Sequence, residues 1–319
     1  MTFTRRTFLG AAAALPLLPR RGHATPPLRV TATTGMIADT ARNVAGGLAE
    51  VTALMGPGVD PHGYRQTRSD IVTLTRGDVA LRNGLNLEAQ LEDLFETLSS
   101  RVPVVPVAES VPAEDILHNT IYEGRPDPHV WMVPRHWRHA VGATRDALTG
   151  LRPDQAETFA ANTDAYLAEL AGLQSYAAEV LATVPEPARV LVTAHDAFAY
   201  FGAEYGFEVL GIQGISTESE AGLQRIAMLV DTLVTRGIGA VFVESSVSDR
   251  NVRALIEGAA SRGADVRIGG ELFSDAMGQP GTYEGTWIGM IDHNVTTICN
   301  ALGGTAPDRG MNGKLNAGI

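Results

Sequence analysis

Apolar residues recur at three- and four-residue steps through one long stretch of the chain, residues 153–183. The spacing predicts a single helix that begins at Pro153, stops before Pro185 and measures about 45 Å. Because such a helix is longer than a small domain is wide, we expect it to join two domains. Its predicted apolar face comprises Phe159, Thr163, Tyr166, Leu167, Leu170, Leu173, Ala177, Val180 and Leu181.

On both sides of this helix, short apolar runs alternate with amphipathic helical segments, which predicts parallel sheets. The expected fold class is α/β, with two (β/α) lobes of largely parallel sheets joined by one long helix. We place the N-terminal lobe at 25–150, the linking helix at 151–185 and the C-terminal lobe at 186–302. Residues 303–319 are rich in Gly and Asn, which predicts a flexible tail. The predicted strands are 28–34, 50–55, 79–83 and 102–107 before the helix, and 189–193, 209–212, 240–244 and 266–268 after it.

Residues 1–24 are typical of a twin-arginine signal peptide. Arg5 and Arg6 precede an apolar run that ends at Leu18, and Gly22-His23-Ala24 resembles a cleavage site. Export to a periplasm is therefore expected. No cysteine follows the cleavage site, so we predict a free protein without a lipid anchor. No apolar run reaches the roughly 18 residues of a membrane helix, which predicts no membrane insertion.

The charge balance narrows the set of partners. The formal net charge is −11 at pH 7, and it becomes −15 when removal of the signal lowers the basic residues from 25 to 21 against 36 acidic ones. Such a protein is a poor partner for nucleic acid and attracts cations. The single cysteine, Cys299, cannot form an intramolecular disulfide and is expected in the core.

Four polar residues follow predicted strands: His62, His129, His195 and Asp275. Ligands of open α/β sheets bind beyond the carboxyl ends of strands, so these side chains could meet in one cleft between the lobes. Three imidazoles and one carboxylate suit Zn(II) or a similar transition ion better than Ca(II) or Mg(II). A lone histidine at a strand end is more often structural, but Asp-Pro-His occurs twice, at 60–62 and 127–129.

Glu244 ends a predicted strand, where it could orient a ligand imidazole, act as a fifth oxygen donor, or cap the helix that follows. His118, His136, His139 and His293 are interpreted as surface or packing residues.

Seven motifs stand out along the chain: GPGVDPHGY (56–64), PDPHVWMVP (126–134), TAHDAFAYFGAEYG (193–206), GISTESE (214–220), FVESSV (242–247), LFSDAMG (272–278) and GTYEGTWIGMIDHN (281–294). In these motifs the sequence resembles the zinc and manganese solute-binding proteins of ABC transporters, the TroA and ZnuA types. That resemblance implies two (β/α) lobes bridged by one long helix, with one ion at their interface bound by His62, His129, His195 and Asp275. It also implies a permease as partner and Zn(II) as the favoured ion, with Mn(II) close behind.

Two other functions remain open from the residues. A metallohydrolase would need an open coordination position and a base, for which Glu244 is the one candidate, and the chain has no HExxH, P-loop or Gly-x-Ser-x-Gly motif. A receptor for haem or a siderophore would need a wide aromatic or arginine-lined cleft, and only Tyr64 and Trp131 flank the histidines. A monomeric binding protein, not an enzyme, is therefore expected. We further expect local movement of the His62 or Asp275 loop on release, and weaker binding below pH ~6.5.

Overall fold

The computed structural model describes residues 26–118, 124–219 and 221–316. The predicted α/β class is confirmed, with parallel strands on both sides of one long helix. The predicted signal peptide lies outside the described residues. In the described ranges no helix has both the length and the apolar character needed to cross a bilayer.

The N-terminal lobe is built on a four-stranded parallel sheet in the order β2-β1-β3-β4. The carboxyl ends of its strands therefore lie along one edge. The helix α2 is capped by Thr67 in a capping box with Asp70. The elements are β1 (Leu28–Ala32), α1 (Gly35–Ala45), β2 (Ala49–Ala53), α2 (Arg68–Arg76), β3 (Val79–Arg82), α3 (Glu92–Ser99), β4 (Val104–Pro106) and α4 (Pro134–Leu151).

The linking helix α5 (Ala156–Leu181) has 26 residues and is therefore about 39 Å long. Eight of the nine residues of its predicted apolar face are buried, and Leu167 is partly buried. The helix packs against α1 and α4 and against α9 (Trp287–Ala301) of the C-terminal lobe. It thus contacts both lobes along its length.

The C-terminal lobe contains two parallel strand pairs, β5-β6 and β7-β8, and β5 also contacts β7. The two strands of each pair run parallel and therefore end on the same side of that pair. The elements before α9 are β5 (Val190–Thr193), α6 (Ala199–Tyr205), β6 (Glu208–Gly211), α7 (Leu223–Arg236), β7 (Ala240–Glu244), α8 (Arg250–Ala260) and β8 (Arg267–Leu272).

The main hydrophobic core runs from one lobe into the other. Trp137 of α4 stacks on Trp287 of α9 with their ring centroids 6.1 Å apart and an interplanar angle of 14°. Nearby, the buried carboxylate of Asp39 accepts the backbone N–H of Trp287 at 2.9 Å. A continuous apolar interface of this kind limits wide opening of the lobes.

The C-terminal segment differs from the predicted flexible tail as far as the structure describes it, to residue 316. Asp292 accepts the backbone N–H of Met311 at 2.9 Å, and Glu284 accepts that of Asn316 at 2.9 Å. The side chain of Leu315 is fully buried. Composition suggested fraying, but two carboxylates and one apolar anchor hold these residues.

Candidate metal centre

Each predicted ligand lies in a connection that starts where a strand ends. His62 follows β2, His129 follows β4, His195 follows β5, and Asp275 follows β8. The structure brings all four together: one ligand atom from each lies within 4.8 Å of the others, and all four residues are buried.

The spacing of the ligand atoms suits a small ion. The Nε2 atoms of His62 and His129 are 3.3 Å apart, and Asp275 Oδ1 lies 3.4 Å from His129 Nε2. Asp275 Oδ2 lies 3.2 Å from His195 Nε2 and 3.7 Å from His62 Nε2. A tetrahedron with the 2.0–2.1 Å bonds of zinc has edges of about 3.4 Å, so the four groups could surround such an ion.

Three buried ligand atoms at this centre have no hydrogen-bond partner among the described residues: His195 Nε2 and both carboxylate oxygens of Asp275. Leaving buried polar atoms unpaired is costly, and a carboxylate costs more than a neutral group. A divalent cation would pair with all three atoms. Histidines with a purely structural role would not require a cation, so the unpaired atoms favour metal binding.

Two of the histidines are held in place by carboxylates behind them. Asp127 Oδ1 accepts the backbone N–H of His129 at 2.9 Å and contacts its ring Nδ1 at 2.7 Å. Glu244 does the same for His195, with one oxygen 2.8 Å from the backbone nitrogen and the other 2.5 Å from Nδ1. In both cases the Nδ1 contact turns Nε2 toward the centre.

This arrangement selects one role for Glu244 among those considered from the sequence. Both of its oxygens are engaged by His195, so the contacts match the orienting role rather than that of a fifth donor. The orienting role of Asp127 was missed. Its signal was present in the sequence, since an aspartate side chain readily accepts the backbone N–H two residues later.

The loop with Asp275 is fixed through its backbone. Trp131 Nε1 donates to the Ser274 carbonyl at 2.8 Å, and Asn294 of α9 accepts the N–H of Phe273 at 2.9 Å. Trp131 belongs to the N-terminal lobe, so this bond also joins the lobes beside the centre.

The carboxylates set the charge of the imidazoles. Burial lowers the pKa of His129, but Asp127 and then Asp275 outweigh it and raise that pKa to about 9. Burial likewise opposes protonation of His195, yet Glu244 and Asp275 raise its pKa well above the usual value. His62 has no such carboxylate behind it, and burial lowers its pKa to about 3. The carboxylates therefore favour the protonated forms of His129 and His195, and a cation at the centre would compete with those protons.

The other histidines stay away from the centre. His136 is buried against Tyr200, with ring centroids 5.2 Å apart, and His293 Nε2 contacts the Glu271 carbonyl at 2.8 Å. His118 is exposed and His139 half-buried. His23 lies outside the described residues.

Known proteins are similar to this chain in sequence and fold. The chain is 46% identical over 276 residues to the manganese-binding lipoprotein MntA of Bacillus subtilis, covering 86% of this chain and 90% of MntA. It is 45% identical over 276 residues to the zinc-binding protein TroA of Treponema pallidum, covering 86% and 89%. The solved structure of TroA superposes with a TM-score of 0.84 at 43% identity, covering 86% of this chain and 99% of that one.

These relatives contradict one prediction. MntA and the substrate-binding protein SsaB of Streptococcus sanguinis are both named lipoproteins, so the prediction of a protein without a lipid anchor was wrong. It rested on the lack of a cysteine after a predicted cleavage site, in a segment outside the described residues. A location beyond the cytoplasmic membrane agrees with these relatives.

A family model described as zinc-uptake complex component A, periplasmic, matches residues 30–301, which include all four candidate ligands. The match spans both lobes and the linking helix, and it confirms the resemblance identified from the motifs. The chain therefore belongs to the ZnuA family of periplasmic zinc-uptake components.

Proposed function

We propose that this chain captures one divalent transition-metal ion, Zn(II) or Mn(II), through His62, His129, His195 and Asp275 and delivers it to an ABC permease. The observation that supports it most directly is the set of buried, unpaired ligand atoms on Asp275 and His195. The relatives TroA and MntA are named for zinc and manganese respectively, at almost equal identity.

The coordination we propose uses both oxygens of Asp275. Each oxygen faces a different imidazole, Oδ1 toward His129 and Oδ2 toward His195, and neither accepts a hydrogen bond from a described residue. Three nitrogens and two oxygens would give a five-coordinate site that tolerates Mn(II) as well as Zn(II). The charge of the ion would be balanced by Asp275 together with the Asp127 and Glu244 carboxylates.

Binding, rather than catalysis, is what this centre supports. A metallohydrolase needs a base beside an open coordination position, and the one candidate base, Glu244, is engaged by both the backbone nitrogen and the ring Nδ1 of His195. Members of this family bind solutes for transport. We propose that this chain is likewise not an enzyme.

A receptor for a metal chelate is the alternative. The four ligand groups converge within 4.8 Å in a buried centre, which leaves space for a bare ion. Trp131 is fully buried, and the Tyr64 hydroxyl donates to Asp70 at 2.7 Å. The two aromatic residues that could have lined a wider cleft are therefore used in packing and capping.

The organisation that we propose has lobes at 25–150 and 186–302 with the linking helix at 151–185, and the protein acts as a monomer. We also propose export through the twin-arginine signal at residues 1–24.

Native mass spectrometry with elemental analysis of protein recovered from the periplasm tests the function. Wild-type protein should carry one Zn(II) or Mn(II) per chain, and His195→Ala should carry none. His139→Ala removes a half-buried histidine outside the centre and should retain the metal. A metal-free wild type, or full occupancy of His195→Ala, would refute the proposal.

A further inference from the structure

The three ligand histidines are not held equally. His129 and His195 each have a carboxylate on both the backbone nitrogen and the ring Nδ1. His62 has a carboxylate, Asp60, on its backbone N–H alone, at 2.8 Å, and no described residue bonds its Nδ1. Its position therefore depends on where the backbone of its loop is held.

Asp60 is itself held from the other lobe. Its Oδ1 accepts the His62 N–H, while its Oδ2 accepts the hydroxyl of Thr217 in a short hydrogen bond. Thr217 lies in the loop between β6 and α7, 157 positions further along the chain. One carboxylate thus connects the backbone of a metal ligand to a loop of the opposite lobe.

The loop around Thr217 has a defined shape. Gln213 Nε2 donates to the carbonyls of Thr217 at 3.3 Å and Ser219 at 3.1 Å, which fixes the turn between them. A second contact between the lobes, from Gln90 Nε2 to Glu218 Oε2 at 2.8 Å, lies beside the first without touching Asp60. The two contacts can therefore be separated experimentally.

This loop also lines a cavity beside the centre. The cavity has a volume of about 250 Å³, and its lining includes His62 together with Ile215, Ser216 and Glu218 of the loop. His62 is 4% exposed, whereas His129 and His195 are fully buried. The least constrained ligand is thus the one that faces this cavity.

We propose that Thr217 is a positioning residue, which through Asp60 keeps His62 on the ion and sets how fast the ion leaves. Loss of the Thr217 hydrogen bond would free the Asp-Pro-His backbone at 60–62 and let His62 withdraw toward the cavity, while His129, His195 and Asp275 stay in place. The continuous core between the lobes favours such a local route over wide opening. This inference rests on the proposed function.

The test uses Thr217→Val, which keeps the shape of the side chain and removes the hydroxyl, beside Thr217→Ser, which retains it. Full-length mature protein is loaded with Mn(II) or, separately, Zn(II), and release into an excess of fluorescent chelator is followed by stopped flow. We expect Thr217→Val to release the ion about tenfold faster, equivalent to about 1.4 kcal/mol. Thr217→Ser should release it at the wild-type rate.

Two controls separate this role from general weakening. The melting temperature of metal-free Thr217→Val should fall by no more than about 4 °C, because Thr217 is half-buried and a single hydrogen bond contributes about 1 kcal/mol. Gln90→Ala, which removes the neighbouring contact between the lobes, should leave release unchanged. Equal acceleration by Gln90→Ala, or wild-type release from Thr217→Val, would overturn the role of Thr217 while leaving the metal site intact. A wild type that takes up neither ion would overturn the proposed function and this inference with it.

Discussion

Replacing Asp127 by asparagine tests how a carboxylate behind an imidazole governs metal affinity. The amide oxygen of the introduced side chain can still accept the His129 N–H and Nδ1–H, which the Asp127 carboxylate now accepts at 2.9 and 2.7 Å. The tautomer that presents Nε2 to the ion is therefore kept. The substitution removes the negative charge that makes the His129 imidazole a stronger electron-pair donor to the metal.

The loss of metal affinity in Asp127→Asn depends on pH because the Asp127 charge also stabilises the proton that competes with the metal for His129. Loss of a carboxylate partner behind a ligand histidine typically costs 10–100-fold in affinity, or about 1.4–2.7 kcal/mol. Asp127 and Asp275 together raise the pKa of His129 to about 9, so the wild-type imidazole must lose a proton to bind metal below that pH. Asp127→Asn lowers this pKa and relieves the competition. The variant should therefore lose most affinity near pH 9 and progressively less toward pH 6.

Competition titrations against a chelator of known pH dependence, at pH 6, 7.5 and 9, would measure this pattern for Zn(II) and Mn(II). Asp196→Asn is the matched control. Asp196 is half-buried close to the centre, and in the described structure its side chain makes no hydrogen bond to a ligand histidine. It should change affinity less than about threefold at each pH. An Asp127→Asn loss that grows as the pH falls, or equal losses in both variants, would refute the reasoning.

Three further predictions concern proton release, the Asp275 loop and the C-terminal segment. Metal binding at pH 7 should release about two protons, one each from His129 and His195, measured by calorimetry in buffers of different ionisation enthalpy; no release would contradict their raised pKa values. Trp131→Phe removes the N–H bonded to the Ser274 carbonyl and should weaken binding about fivefold in chelator competition, whereas unchanged affinity would show that this bond does not position Asp275. Leu315→Ala should destabilise the protein by about 2–3 kcal/mol in denaturant unfolding, against less than about 0.5 kcal/mol for the exposed Leu223→Ala, and equal values would mean that the C-terminal segment is not anchored.

The sequence was sufficient to predict the fold class and to propose the four ligands because both depend on local pattern. Alternation of strands and helices implies parallel sheets, and parallel sheets bring strand ends together. His62, His129, His195 and Asp275 each follow a predicted strand, so their convergence required only that the two lobes face one another. The helix α5 could be predicted in the same way, since the residues of its buried face recur at helical spacing over 26 residues.

Contacts between distant segments were beyond the reach of such patterns. The bond from Thr217 to Asp60 joins loops whose proximity is set by packing of whole lobes, and neither residue type indicates the other. The Gly- and Asn-rich composition of the C-terminal segment suggested fraying. Composition could not reveal the Asp292 and Glu284 carboxylates that hold the segment, because these residues lie elsewhere in the chain. The expected pH limit of ~6.5 used unperturbed histidines, and the buried carboxylates behind His129 and His195 move it upward.

The two Asp-Pro-His motifs show why identical local sequences can serve different purposes. In both, the aspartate accepts the histidine N–H two residues on, at 2.8 Å for Asp60 and 2.9 Å for Asp127. Asp127 directs that same oxygen to the ring Nδ1 of its own histidine, whereas Asp60 directs its second oxygen to Thr217 of the other lobe. As proposed ligands, His129 of the motif at 127–129 therefore has an orientation fixed within one loop, and His62 of the motif at 60–62 has a position that depends on how the lobes meet. A protein that must bind an ion tightly and still surrender it benefits from one ligand of the latter kind, because release then requires breaking one contact between loops rather than dismantling the centre.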